Sequence, residues 1–229
     1  DELYVDDAVD IIEEMPANVV KRILMHTDPV VRKSINEILK YPEDSAGSIM
    51  TIEYVDLKKY MTVDDAFTRI RRTGVDKETI YICYVTDDNR KLLGLVTVKD
   101  LLLSDKSKKM FEIMETNVIS VTTLEDKEIV ADKFQKYDLM AIPVVDQEER
   151  LVGIVTFDDA MDVLQDENTE AIEKMAAITP TDKPYLKMGI VETWKKRVPW
   201  LLLLMVSATF TGKIITSFED ALQAQIVLT

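Results

Sequence analysis

Histidine and cysteine are almost missing: the 229 residues contain one of each, His26 and Cys83. A single cysteine excludes an intrachain disulfide and suits a reducing compartment. Because Cys83 stands in the apolar run IYICYV, it reads as a buried structural thiol rather than a nucleophile. His26 has no second His or Cys with which to hold a soft metal, so a surface or packing role is expected. Bases are also in deficit, with 28 Lys and Arg against 42 Asp and Glu and a net charge of −14. That balance argues against a nucleic-acid partner, which needs clustered cations, and favours attraction of cations. Only 6 glycines are present and none forms a phosphate-binding loop. The acidic opening DELYVDDAVD lacks the apolar stretch of a signal peptide. No nucleophile–base set stands out, so an enzyme is not expected.

What is present is an ordinary folding composition, 47% apolar and 31% charged. One long apolar run occurs, VPWLLLLMVSATFTGKII at 198–215, interrupted by Lys213 alone. Its length is close to the lower limit for a membrane span, and a buried core helix is the rival reading. Lys195, Lys196 and Arg197 stand just before it, with Trp194 and Trp200 at the boundary. Basic flank and interfacial aromatics place the preceding part of the chain in the cytosol. A single span behind a large soluble part reads as a portion of a larger membrane protein.

Residues 1 to about 45 read as short helices. Val5, Val9 and Ile12 share a helical face, Pro16 and Pro29 stand at helix starts, and Pro42 closes the series. An internal repeat follows. KLLGLVTVKDLL at 91–102 aligns with RLVGIVTFDDAM at 150–161, and YVTDDN at 84–89 with PVVDQE at 143–148, both at an offset of 59. Upstream, TVDDAFTRI (62–70) and TLEDKEIVA (123–131) read as capped helix starts. Each unit is therefore helix, strand, acidic turn, strand, helix. The runs IYICYV, LLGLVTV, IPVV and LVGIVTF are short, continuous and β-branched, as buried strands are.

After the second copy comes DDAMDVLQDENTEAIEKM (158–175), with seven acids before the first base, Lys174. On a helix Asp159, Asp162, Asp166, Glu170 and Glu173 fall within an arc of about 80°. Met161, Leu164, Ala171, Ile172 and Met175 lie opposite, and that apolar side is expected to pack. A solvated acidic face is the bland alternative.

The repeat resembles the CBS domain through Gly94, Thr97 and Asp100 and again Gly153, Thr156 and Asp159, the pattern G-h-h-T-x-x-D. The order of parts resembles the MgtE family of magnesium channels and transporters. The residues that carry this are YPEDSAGSIMT at 41–51, GIVTFDDAMDVLQDENTE at 153–170 and WKKRVPWLLLL at 194–204. The resemblance implies an α+β chain with a helical N-terminal domain (1–48) and a tandem CBS pair of pseudo-twofold symmetry (49–115 and 116–164). A long acidic connecting or plug helix (158–185) and the start of a transmembrane region (194–229) complete it. It implies Mg²⁺ held between domains by Asp126, Glu128 and Asp138 of the second CBS unit, faced by Asp162. Asp159 would share an ion with the N-terminal domain, through Asp6, Asp7 or Asp10. Glu167 and Glu170 would be acids of the pore-facing part of the plug, where Ala171 replaces an acid frequent in the family. It also implies a CBS-mediated homodimer at the cytoplasmic face of a multi-pass membrane protein.

Elementary chemistry agrees with such a role. Mg²⁺ takes hard oxygen ligands, usually a few carboxylates plus retained waters. Carboxylates on separate domains repel until a cation reverses the sign of the interaction. The competing reading is an adenine-nucleotide sensor in which Thr97, Asp100, Thr156 and Asp159 contact ATP or AMP, and the two roles are compatible.

Overall fold

A computed structural model of the chain describes residues 4–13, 15–175 and 190–226. The chain forms two compact units, Asp1–Leu164 and Gln165–Thr229.

Three short helices open the first unit: α1 (Val5–Glu13), α2 (Ala17–His26) and α3 (Pro29–Ile38). Val5, Val9 and Ile12 pack with Ile35 and Ile38, the i, i+4, i+7 face read from the sequence. Pro16 is the N-cap residue of α2, and α3 begins at Pro29 with the Asp28 carboxylate accepting from the Val30 amide at 2.8 Å. His26 is exposed at the end of α2.

The repeat builds two three-stranded sheets. In the first, β1 (Val55–Lys58) runs parallel to β2 (Ile82–Thr86), which is antiparallel to β3 (Leu92–Thr97). In the second, β4 (Val121–Thr122) runs parallel to β5 (Ala141–Val145), itself antiparallel to β6 (Leu151–Thr156). Val85 pairs with Gly94, and Val144 with Gly153, so the offset of 59 holds through both hairpins. Helices α4 (Val63–Thr73), α5 (Val98–Leu103) and α6 (Met110–Ile113) belong to the first copy, α7 (Lys127–Tyr137) and α8 (Phe157–Met175) to the second. Tyr84 meets Ala141, Leu151 and Ile154 in an apolar layer between the sheets. The hairpin turns cross there: Leu92 N–H donates to Glu149 O at 3.1 Å and Leu151 N–H to Arg90 O at 2.9 Å. Arg90 and Glu149 occupy equivalent turn positions at φ 67° and 60°. Cys83 is fully buried, and burial pushes its thiol up to about 12, as its apolar surroundings predict.

The motif glycines mark close backbone approach. A Cβ on Gly94 would lie 2.5 Å from Glu115 O, and one on Gly153 2.8 Å from Thr51 O. The connecting segments use that space to add a bridge to each sheet, Leu95 with Glu115 and Ile154 with Thr51. Thr62 and Asp65 cap α4 reciprocally, as read from the sequence. The second capped start differs, because α7 begins at Lys127 with Asp126 as N-cap. Thr123 is held instead in a turn, its N–H donating to Val145 O and its carbonyl accepting from Gly47.

Helix α8 corrects the expected packing face. Ala160 and Val163 are buried, whereas Met161, Ile172 and Met175 are exposed and Leu164 is half-buried. The Thr156–Asp159 cap and the insertion of Val163 into the second core set the helix rotation. Burial thus falls beside the acidic arc rather than opposite it. The helix ends at Met175, and residues 176–185 of the expected connecting helix lie outside the described residues.

In the second unit, α9 (Ile190–Ile226) carries Arg197–Phe218, 22 residues of mean hydropathy 1.7 and none of them buried. This segment is long and apolar enough to cross a membrane. Residues 227–229 of the expected transmembrane region lie outside the described residues.

Candidate metal centre

Strand β6 ends at Thr156, and its hydroxyl donates to Asp159 in the first turn of α8. Thr97 and Asp100 do the same at the end of β3, with reciprocal backbone bonds of 3.1 and 3.2 Å. The T-x-x-D pair thus ties the strand end to the first helical turn in both copies, and in the first it closes a full capping box. Only the second copy goes on to assemble a cluster of acids.

That cluster joins three segments distant in sequence. Asp6 lies in the first turn of α1 and is only 6% exposed, its carboxylate accepting from the Asp7 amide at 3.0 Å. Glu78 precedes β2 in the short connection after α4. Asp159 is half-buried at the start of α8. One carboxylate oxygen from each lies within 4.8 Å of the others. The Oε2 atom of Glu78 is buried with no hydrogen-bond partner. At an effective dielectric of 20, two ionised carboxylates this close repel by about 3–4 kcal/mol.

Protonation reflects that crowding. Burial first, then the charges of Asp6 and Asp159, pushes Glu78 up to about 8. Burial likewise raises Asp159 to about 7 against the lowering effect of its Thr156 hydrogen bond, and it raises Asp6. Asp10, one turn beyond Asp6 and exposed at the surface, is raised to about 6 by partial desolvation and then by the charges of Glu13, Asp6, Asp7 and Asp162. Beside them, the Val5 amide at the start of α1 donates to Glu53 at 3.4 Å. Carboxylates that prefer protons near neutral pH are ones a hard divalent cation stabilises in their ionised form. The donor set, all oxygen with no sulfur or imidazole, fits Mg²⁺.

Among the sequence-derived ligands, Asp6 and Asp159 thus come together, and Asp10 lies within electrostatic reach of Asp162. Asp7 is exposed and contributes its amide to Asp6. Asp126, Glu128 and Asp138 do not form one site. Asp126 caps the start of α7 by accepting from Glu128 N–H at 2.9 Å, while Asp138 ends the same 11-residue helix at φ 52°. Those ends are about 16 Å apart, so no single ion takes both. In the second unit, Glu167 and Glu170 are partly exposed on α8, and Glu170 pairs with Lys174 at 2.5 Å. Glu78 was not among the residues picked from the sequence. It lies in a connection without periodicity or motif, and only the fold brings it to Asp6 and Asp159.

Residues 1–44 match the MgtE intracellular N domain, and residues 46–106 and 110–166 match the CBS domain. Over 222 residues the chain is 40% identical to the magnesium transporter MgtE of Thermus thermophilus, covering 97% of this chain and 49% of that protein. Its identity to the Bacillus subtilis magnesium transporter MgtE is 37% over 227 residues, with the same coverages. The chain spans about half the length of these curated relatives. Two solved structures superpose well. The soluble part of a magnesium transporter has TM-score 0.70 at 36% identity, covering 72% of this chain and 65% of that one. The cytosolic domain of the Mg²⁺ channel MgtE in complex with ATP has TM-score 0.68 at 41% identity, covering 71% and 66%.

Proposed function

The chain belongs to the MgtE family, and from that premise we propose that it is the Mg²⁺-sensing and gating region of a magnesium channel or transporter. It lies on the cytoplasmic face of the membrane and leads through α9 into a multi-pass pore. The observation that carries this reading is the convergence of Asp6, Glu78 and Asp159 from the N-terminal helices and both halves of the repeat. With Mg²⁺ bound, the three carboxylates are ionised and bridged, so α1 is clamped to the CBS pair. Without it they hold protons or repel, and the clamp loosens. Asp10 with Asp162 continues the same acidic seam. Asp126, Glu128 and Asp138, at the two ends of α7, serve separate ions or interdomain contacts, and Glu167 and Glu170 act farther along the plug.

The CBS pair forms the homodimer interface. Tyr81 and Leu102 in the first copy are the counterparts of Met140 and Met161 in the second, and these four, with Phe157, are all more than 40% exposed. Apolar residues repeated on one face in this way mark an association surface. The curated relatives are named as transporters, and the role proposed for the chain is regulatory rather than catalytic.

A nucleotide is the second ligand, favoured by the ATP complex of a related cytosolic domain. The Thr97–Asp100 half of the pair suits it. The Thr156–Asp159 half faces Glu78 and Asp6, whose charges oppose phosphate.

Small-angle scattering and limited proteolysis of the chain with and without millimolar Mg²⁺ test the sensor reading. Compaction and protease resistance on adding Mg²⁺ are expected, and an unchanged profile would reject it.

A further inference from the structure

A polar cavity lies away from the acidic cluster. It has a volume of about 460 Å³ beside the edge strand β1 and the end of α4. Four cations line it, Lys58, Arg69, Lys77 and Arg90, against one carboxylate, Asp56. In a chain of net charge −14 such a local excess of bases is against the average.

The bases are held in place. Arg69 donates through Nε to Asp56 O at 2.6 Å and through Nη2 to the Asp56 carboxylate. Lys58 Nζ donates to Thr86 Oγ1 and Asp87 O, each at 2.9 Å. Arg90 Nη2 donates to Leu151 O at 3.0 Å and Tyr54 OH at 3.2 Å. Side-chain exposure is 27% for Arg69 and 32% for Lys58. Each guanidinium keeps further N–H donors, and Lys77 interacts electrostatically with Glu53.

The fold does not require these bases. Leu57 pairs with Val85 as Val121 pairs with Val144, which makes Thr122 the counterpart of Lys58. Glu149 is the counterpart of Arg90 in the other turn. By its place on α7, Lys133 is the counterpart of Arg69, and it is paired with Glu125. Arg69 and Lys133 are both paired with a carboxylate, so the two halves differ at Lys58, which replaces a threonine, and at Arg90, which replaces an acid.

We propose that this cavity is a binding site for a small phosphorylated ligand. Its phosphoryl groups are taken by Arg69, Arg90, Lys58 and Lys77, and its organic part lies against Tyr54 and Leu151. Arginine forks match phosphoryl oxygens in pairs, and lysines add point charge. The site is distinct from the Thr97–Asp100 cleft, because Lys58 and Thr86 lie at one end of the strand pair and Thr97 at the other.

Inorganic pyrophosphate titrated calorimetrically into the full chain, free of Mg²⁺, tests the proposal. Saturable binding is expected. Lys77→Gln and Arg90→Ser should each weaken it about tenfold or more, as loss of one charge-assisted contact does. Lys133→Gln, the control in the other half, should bind like the parent. ATP that displaces pyrophosphate identifies a nucleotide as the source of the phosphoryl groups, whereas failure to displace it identifies another phosphorylated metabolite. Absence of binding at millimolar pyrophosphate overturns the proposal. So does an unchanged affinity in Lys77→Gln, which removes the charge of this half-buried side chain and keeps it polar.

Discussion

Replacing Glu78 by glutamine keeps the shape of the side chain and removes both its charge and its titration. Its folded pKa is raised from 4.5 to about 8. The folded chain therefore binds the proton more tightly than the unfolded chain does. The stability this contributes is fully present below about 4.5 and is lost as pH rises through about 8. At 1.36 kcal/mol per unit the shift sets an upper bound of about 5 kcal/mol, and screening of this partly exposed group reduces it to on the order of 2–3 kcal/mol. Metal-free parent chain should thus lose that much stability between pH 5 and 9 (roughly, at the scale of that shift), and Glu78→Gln should show a much flatter profile. Mg²⁺ acts in the opposite direction. At a hundredfold excess over its dissociation constant it stabilises the parent by about 2.7 kcal/mol. For a protein of this size that is a rise in melting temperature of about 5–10 °C. Glu78→Gln should lose more than half of the rise. Thermal unfolding by circular dichroism at two pH values, with and without Mg²⁺, reads all four quantities. A variant that keeps both the parent's pH slope and its full Mg²⁺ response would refute the assignment of Glu78.

Two further changes test the scaffold. Gly153→Ala places a methyl group 2.8 Å from Thr51 O, which breaks the bridge between the connecting segment and β6; a loss of about 1–3 kcal/mol is expected by denaturant unfolding. Phe157→Ser, at an exposed position edge-on to Phe134, should shift the chain from dimer to monomer in analytical ultracentrifugation and remove the dependence of its melting temperature on protein concentration.

The hairpins and their helices were legible because the sequence repeats. Gly94 with Thr97 and Asp100, then Gly153 with Thr156 and Asp159, give the close approach and the cap of each copy. The short N-terminal helices were legible from prolines and the spacing of Val5, Val9 and Ile12. Glu78 was not, because its role comes from three segments meeting and leaves no local pattern. The packing side of α8 was misread for a related reason. A helical wheel ranks faces by polarity, but the Thr156 cap and Val163 fix the rotation of the first turns. Asp126 was visible as a possible ligand, yet sequence alone did not reveal it as the cap of α7, or its separation from Asp138 by the length of that helix.

The central claim is that a divalent ion is held jointly by Asp6, Glu78 and Asp159. Anomalous diffraction from crystals of the chain grown with Mn²⁺ in place of Mg²⁺ tests it most directly. A peak about 2.0–2.2 Å from a carboxylate oxygen of each residue is predicted, and it should vanish in Asp159→Asn. Peaks beside other acids with this cluster vacant would contradict the account.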